Sequence, residues 1–282
     1  MSDSNIFYFS AEIGLSSSIP TYSGGLGVLA GDHIKSAGDA NLSMCAITLL
    51  YKEGYFKQRI DENGVQTETY PRFDPDPLIK QLDLRFSLEL QNREVFIQVF
   101  KFDYTSNSGH RVPIYFLDTD LDVNTKEDRS ITHRLYSGDK DHRILQESIL
   151  GFGGIKLLES LEQNNIKTYH MNEGHSAFAG LEAIRDFMHE DGLDFDGALR
   201  EVAQRAVFTT HTPVPAGHDR FERDLVEEHL GPLRESLGIS LAQLMGLGRV
   251  DPQNGEESFC MTVLALKLSR RANAVSALHG QV

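Results

Sequence analysis

The chain has 282 residues, enough for one large domain with a sizeable core. Its 40% hydrophobic and 24% charged residues are those of an ordinary globular protein, which excludes low-complexity and fibrous classes. A formal net charge of -14 argues against nucleic acid and anionic membrane as partners.

Cys45 and Cys260 form neither a disulfide framework nor a metal-ligand spacing, so the expectation is buried thiols in a reduced compartment. No apolar run reaches the length of a membrane span. Met1 to Asn5 lack a basic segment, and Glu12 interrupts the apolar stretch that follows. No signal peptide is therefore read, and the expected setting is the cytoplasm.

In chain order, Ile6 to Ser10 is a short β-rich run, followed by a loop rich in Ser, Gly and Pro. From Val28 to about Ala40 the pattern is helical, with Lys35 and Asp39 four residues apart. Met44 to Tyr51 is nearly continuous in apolar residues, as a strand buried on both faces requires. Tyr55–Ile60 and Val65–Tyr70 flank Asp61-Glu62-Asn63-Gly64, a hairpin turn by composition. Val95, Ile97 and Val99 alternate with other residues, and Val112 to Leu117 is a further strand. The span of about 55–120 therefore predicts an antiparallel β insert beside a main sheet.

Strand and helix then alternate. Asp141 to about Leu161 reads as a helix weakened by Gly151, Gly153 and Gly154. Thr168–Asn172 is a strand, Ser176–Met188 a helix, Asp196–Arg205 a helix and Ala206–Thr210 a strand. Thr262–Arg271 is a helix and Ala274–Ala277 a strand. That rhythm predicts βαβ units and a mainly parallel sheet. The chain stops directly after its last predicted strand, which points to a truncated domain.

Three glycines in Tyr22-Ser23-Gly24-Gly25-Leu26-Gly27 precede the helix from Val28. A helix start with unhindered amides is an anion site in physical terms. A tight turn that needs the glycines only for their dihedrals explains the same residues equally well. Gly25-Leu26-Gly27-Val28-Leu29-Ala30 also fits the dinucleotide pattern G-x-G-x-x-[GA]. It lies about a dozen residues past its strand, and no acid follows at the required place, with Glu53 poorly positioned. NAD binding is therefore set aside.

Polar clusters fall at the ends of three predicted strands: Asn172-Glu173-Gly174-His175, Thr209-Thr210-His211-Thr212-Pro213 and His279-Gly280. Open α/β sheets bind ligands along that edge, and strands place side chains accurately. One histidine alone is more often structural. A metal site from Glu173, His175 and His211 lacks any recognised spacing, and Ser176 lies outside a G-x-S-x-G elbow. Asp139, Asp141 and His142 read as a helix start, and His218 with Asp219 as a cap. The pairs Arg270–Arg271 and Glu227–Glu228 read as solvated faces.

Longer motifs carry a resemblance. Tyr8-Phe9-Ser10-Ala11-Glu12 and the run from Tyr22 to His33 resemble the opening of the α-glucan (glycogen, starch, maltodextrin) phosphorylases, in their shorter bacterial and archaeal form. So do Leu50–Ile60, His170–His175, Thr209–Phe221 and Leu268–Gly280. The matches run in order over nearly the whole chain.

The resemblance implies that residues 1–282 are the Rossmann-like N-terminal domain of a GT-B glycosyltransferase fold, with the insert at about 55–120. It implies a retaining 1,4-α-glucan phosphorylase, in which α-glucan and phosphate give glucose 1-phosphate. It implies pyridoxal phosphate, held by a lysine in a C-terminal domain that this chain lacks, so the chain is expected to be inactive alone. Gly24 and Gly25 match the loop that approaches the phosphates. His211 matches the catalytic-site histidine at the glucosyl unit, while Glu12, Glu173 and His175 match polar cleft residues and Tyr55 sits in a motif near the cofactor. Neither nucleic acid, membrane nor metal is implied. Two other readings remain open: a nucleotide-sugar-dependent GT-B glucan synthase, and a non-catalytic glucan-binding module.

Overall fold

The computed structural model describes residues 4–70, 72–75, 79–163, 165–214 and 217–281. Pro215 and Ala216 of the Thr209–Phe221 motif therefore lie outside the described residues.

Strand β1 (Ile6–Ser10) leads through the glycine loop into helix α1 (Gly25–Asp39) and strand β2 (Met44–Leu49). β3 (Lys57–Ile60) and β4 (Gln66–Thr69) form an exposed hairpin. Its turn is closed by Asp61, whose carboxylate accepts from the amides of Asn63 and Val65 at 2.9 and 2.8 Å, and by Gly64 at φ 78°. β5 (Lys80–Leu90), β6 (Arg93–Thr105) and β7 (Arg111–Asp118) follow. Gln91 and Asn92, at φ 49° and 59°, make the two-residue turn between β5 and β6, the geometry that matches strand twist.

Helices α2 (Lys126–Ser130) and α3 (Lys140–Ser160) precede β8 (Thr168–Asn172). Asp139 caps α3 by accepting from the amide of His142 at 3.1 Å, as expected for a helix start. Then come α4 (Phe178–Glu190), α5 (Phe195–Arg205) and β9 (Ala206–Thr210). β10 (Arg220–Phe221), α6 (Arg223–Ser236), α7 (Leu241–Leu247), β11 (Phe259–Cys260), α8 (Met261–Lys267) and β12 (Arg271–Ala274) complete the chain. Among the described residues, no helix is long and apolar enough to cross a membrane.

Eight strands form one sheet in the order β12-β9-β8-β1-β2-β7-β6-β5. The six from β12 to β7 are parallel, and β6 and β5 are antiparallel. The mainly parallel α/β expectation thus holds. The antiparallel part differs in one respect. β5 and β6 extend the edge of the main sheet, and β7 pairs in parallel with β2, so only β3 and β4 stand apart. Alternating residues identify a strand but not its neighbour, so sequence pattern had no means of seeing this. The last helix and strand also lie earlier than expected. The amide of Arg270 already donates to the carbonyl of Ala206 at 3.1 Å, and Arg271–Ala274 pair with Val207–Thr210.

Side chains alternate between two cores. Phe7, Phe9, Cys45 and Ile47 face α3 and α4, whereas Tyr8, Met44 and Ala46 face α1. The glycines of α3 serve packing and do not break the helix. A Cβ at Gly154 would lie 2.6 Å from the Phe9 ring, and one at Gly151 would lie 2.6 Å from the amide nitrogen of Ala179. α1 crosses equally close to the loop after β1, because a Cβ at Gly31 would lie 2.0 Å from the carbonyl oxygen of Gly14.

Glu182 and Asp186 lie one turn apart on α4. Burial pushes Asp186 up to about 8, and repulsion from Glu159 and Glu182 adds to it. Burial likewise pushes Glu182 up to about 7 against the opposing charge of Arg185. A carboxyl raised in the folded state binds its proton more tightly there than in the unfolded chain. Its stabilisation is complete below the ordinary carboxylate range and is lost as pH rises through the folded value. The thermal midpoint is therefore expected to fall as pH rises from about 4 to about 8. Asp186→Asn should flatten that fall in a melting series, and a wild-type slope in the variant would contradict it.

Candidate active cleft

β1 is the switch point of the sheet. The chain leaves it for β2 on one side and later returns to β8 on the other. The connections therefore diverge at the carboxyl ends of β1 and β8 and leave a crevice there. The loops after β1, β8 and β9 all reach this crevice, and they carry Glu12, His175 and His211.

Glu12 is 2% exposed, yet its carboxylate is fully engaged. Oε2 accepts from the amides of Ser23 and Gly24 at 2.6 and 3.3 Å, and Oε1 accepts from the Tyr136 hydroxyl at 2.6 Å. The first two amides of the glycine loop thus hold an anion that belongs to the protein itself. Only glycine at position 27 permits this, since a Cβ there would lie 2.8 Å from Oε2. The first-turn amides of α1, from Gly25 to Gly27, have no acceptor within the helix. No atom lies within 4 Å of a Cβ built on Gly24 or Gly25, so that end of the helix is open to a ligand.

A second buried carboxylate organises the opposite wall. Glu173 adopts a left-handed φ of 67° and is 2% exposed. Its Oε1 accepts from the amide of Gly174 at 3.0 Å, and its Oε2 accepts from the amide of His211 at 2.7 Å. Charge-assisted bonds of this kind are among the stronger ones available to main chain, and they fix the start of the loop after β9.

The His211 ring is fixed as well. Ser10 donates its hydroxyl to the carbonyl of Glu12 at 2.7 Å, so it accepts from Asn172 Nδ2 at 3.0 Å. That orients the Asn172 amide and turns its Oδ1 toward His211 Nε2 at 2.7 Å. His211 consequently carries its proton on Nε2 and keeps a lone pair on Nδ1. Burial lowers its pKa, with the charges of His175 and His279 adding and Glu173 and Glu12 opposing, so the neutral ring is favoured at neutral pH.

Between these walls lies an open cleft of about 480 Å³. Glu12 and Gly25 line one side, Tyr136 and Arg143 a second, and His175, His211 and Asp219 a third. Arg143 donates to Asp219 Oδ2 at 2.8 Å and lies over the Tyr136 ring, 5.0 Å from its centroid. His175 Nε2 lies 3.2 Å from the same carboxylate oxygen. Burial works to raise Asp219, but the His175 hydrogen bond and the Arg143 charge overcome it and hold this carboxyl below the usual range. A larger groove of about 790 Å³ beside Lys52, Arg72 and Phe100 contains none of the strand-end residues. Its Lys52 is spent on Asp118 and Asp120 at 2.8 and 3.0 Å.

Of the residues singled out from sequence, Glu12, Gly25, His175 and His211 meet in the cleft, with Gly24 at its rim as the α1 N-cap. Glu173 lies behind the wall. Tyr55 stands off the cleft, 39% exposed and tilted against Phe56 with ring centroids 4.4 Å apart. His279 lies in a short turn, 279–281, beyond β12. Sequence reading missed Tyr136, Arg143 and Asp219 as site residues, and placed Asn172 in a strand-end cluster without giving it a role. Asp219 was expected only to cap a segment. Its position in the loop after β9, eight residues past His211, was the available signal.

No family model matches the chain. Over 98% of its length, the chain is 41% identical to a glycogen phosphorylase of Mycobacterium tuberculosis and 44% identical to a maltodextrin phosphorylase of Thermococcus litoralis. It is 33% identical to a glycogen phosphorylase of Aquifex aeolicus over the same share. It spans 33%, 32% and 40% of the lengths of those three relatives. Near-complete coverage of this chain at 41% and 44% identity makes it a member of the glycogen and maltodextrin phosphorylase family, corresponding to about a third of the length of these relatives.

Proposed function

We propose that this chain forms the N-terminal wall of the active cleft of a retaining 1,4-α-glucan phosphorylase, which converts α-glucan and phosphate to glucose 1-phosphate. The observation that carries the reading is the shared cleft of His211 and the open start of α1. A neutral, fixed imidazole suits a glucosyl unit, and free helix-start amides suit a phosphate.

Glucosyl transfer builds positive charge at the sugar ring, so fixed dipoles and carboxylates nearby favour it. In this reading His211 donates no proton. Its ring, held by Asn172, packs against the sugar, and its main chain is fixed by Glu173. Glu12 keeps the glycine loop in register, and the first-turn amides of α1 receive the anion. Tyr136, Arg143 and Asp219 supply a polar wall for hydroxyls.

The family's pyridoxal phosphate, when bound, supplies a phosphate for proton transfer. The open space at Gly24 and Gly25 fits the approach of such an anion. Its lysine belongs, by resemblance, to the family length that this chain does not span. A compartment without membrane is consistent with these soluble substrates, and we place the activity in the cytoplasm.

The test is release of glucose 1-phosphate from maltodextrin and phosphate. The chain alone is expected to release none. A polypeptide joining it to the lysine-bearing domain is expected to release it without any nucleotide sugar. A requirement for ADP- or UDP-glucose would overturn the reading. In that polypeptide, His211→Ala should lower turnover by about a hundredfold or more, an effect of the size seen for loss of one preorganised group. Gly25→Ala should weaken phosphate use while changing unfolding stability by no more than about 1 kcal/mol, because a helix start tolerates alanine.

A further inference from the structure

Glu147 of α3 lies directly behind the cleft and is not used by the reading above. It is 2% exposed, and its Oε2 has no hydrogen-bond partner among the described residues. A carboxyl oxygen of Glu147, one of Asp219 and a ring nitrogen of His175 all lie within 4.8 Å of one another. That spacing would suit a metal ion, but Arg143 already faces both carboxylates, and a second cation would meet the guanidinium. The Arg143 contact to Asp219 is short at 2.8 Å, whereas its contact to Glu147 Oε1 is a loose 3.5 Å. Arg143 is therefore committed to Asp219.

Two ionised carboxylates and one guanidinium leave a buried net negative charge, and one proton removes it. The proton has two possible seats. On His175 it makes both ring nitrogens donors, yet His175 Nδ1 is buried with no partner, and Glu147 Oε2 stays unpaired as well. On Glu147 it makes the carboxyl a donor, and one of its oxygens lies within 4.8 Å of an Asp219 oxygen. His175 Nε2 keeps its own contact with Asp219.

We propose that Glu147 is a neutral carboxylic acid that keeps its proton and hydrogen-bonds through it to the Asp219 carboxylate, making it the positioning residue for the Asp219–His175–Arg143 wall of the cleft. Arg143 on α3, Asp219 after β9 and His175 after β8 surround it. Tyr51, at the end of β2, stands nearby with its hydroxyl donated to the carbonyl of Ala11 at 2.8 Å. Burial pushes the Glu147 carboxyl well up, Asp219 adds to this, and Arg143 opposes it without prevailing. Stabilisation from this group is complete at acid pH and is lost as pH rises through its folded value.

The test needs no phosphorolysis, so its outcome is separate from that of the phosphorylase reading. In the wild-type chain, the side-chain carboxyl carbon resonance of Glu147 should show the neutral acid at about pH 7. Glu147→Gln, a neutral isostere, should change the melting temperature by less than about 3 °C at that pH and remove part of its decline with rising pH. An ionised Glu147 at about pH 7 would overturn the proposal. So would a Glu147→Gln chain that fails to fold or loses stability equally at every pH, as a broken ion pair predicts.

Discussion

Two buried carboxylates hold the cleft together by accepting hydrogen bonds from main-chain amides. Glu12 binds the amides of Ser23 and Gly24, and Glu173 binds those of Gly174 and His211. A carboxylate taken out of water is costly unless its oxygens are satisfied. Here each of the four oxygens is occupied, counting the Tyr136 hydroxyl on Glu12. The glycine loop, the segment around Tyr136 and the loop after β9 are thereby fixed to the carboxyl ends of β1 and β8. The sheet topology supplies the crevice, and these two side chains give it a definite shape.

This arrangement changes what the glycine loop means. Its sequence suggested a helix start open to an external anion, with a plain turn as the rival. Glu12 fills the first two amides, so an external anion would meet only the amides from Gly25 onward. Gly27 and Gly31 are required for close approach, to Glu12 and to Gly14, while Gly24 and Gly25 face open space. The four glycines of one motif therefore divide into two that serve packing and two that face the cleft.

Much of the fold was legible because its strands are bounded by sharp changes in residue type. Thr168–Asn172 and Ala206–Thr210 match the observed strands residue for residue. The 223–247 stretch, to which sequence reading assigned no helix or strand, holds α6 and α7, and Gly231-Pro232 inside α6 interrupts the helical pattern there. The partners of β5, β6 and β7 depend on long-range pairing that local alternation does not encode. In the site, residue type pointed to His211 and Glu12, but not to the direction of their side chains. The carboxylate of Glu173 faces the main chain, which no spacing rule predicts. Arg143 and Asp219 come from distant parts of the chain, 76 residues apart, and only the fold joins them.

The site is a prepared, open cleft. It offers a fixed neutral histidine, open helix-start amides and a charged wall whose only described cation, Arg143, is balanced by Asp219. The direct test of this account is amide hydrogen exchange at Ser23 and His211. Both amides should be strongly protected in the wild-type chain. Protection at Ser23 should be lost in Glu12→Ala alone, and protection at His211 in Glu173→Ala alone, because only removal of the carboxylate removes the acceptor. Rapid exchange at both amides in the wild type, or protection indifferent to either substitution, would contradict the claim that these two carboxylates shape the cleft.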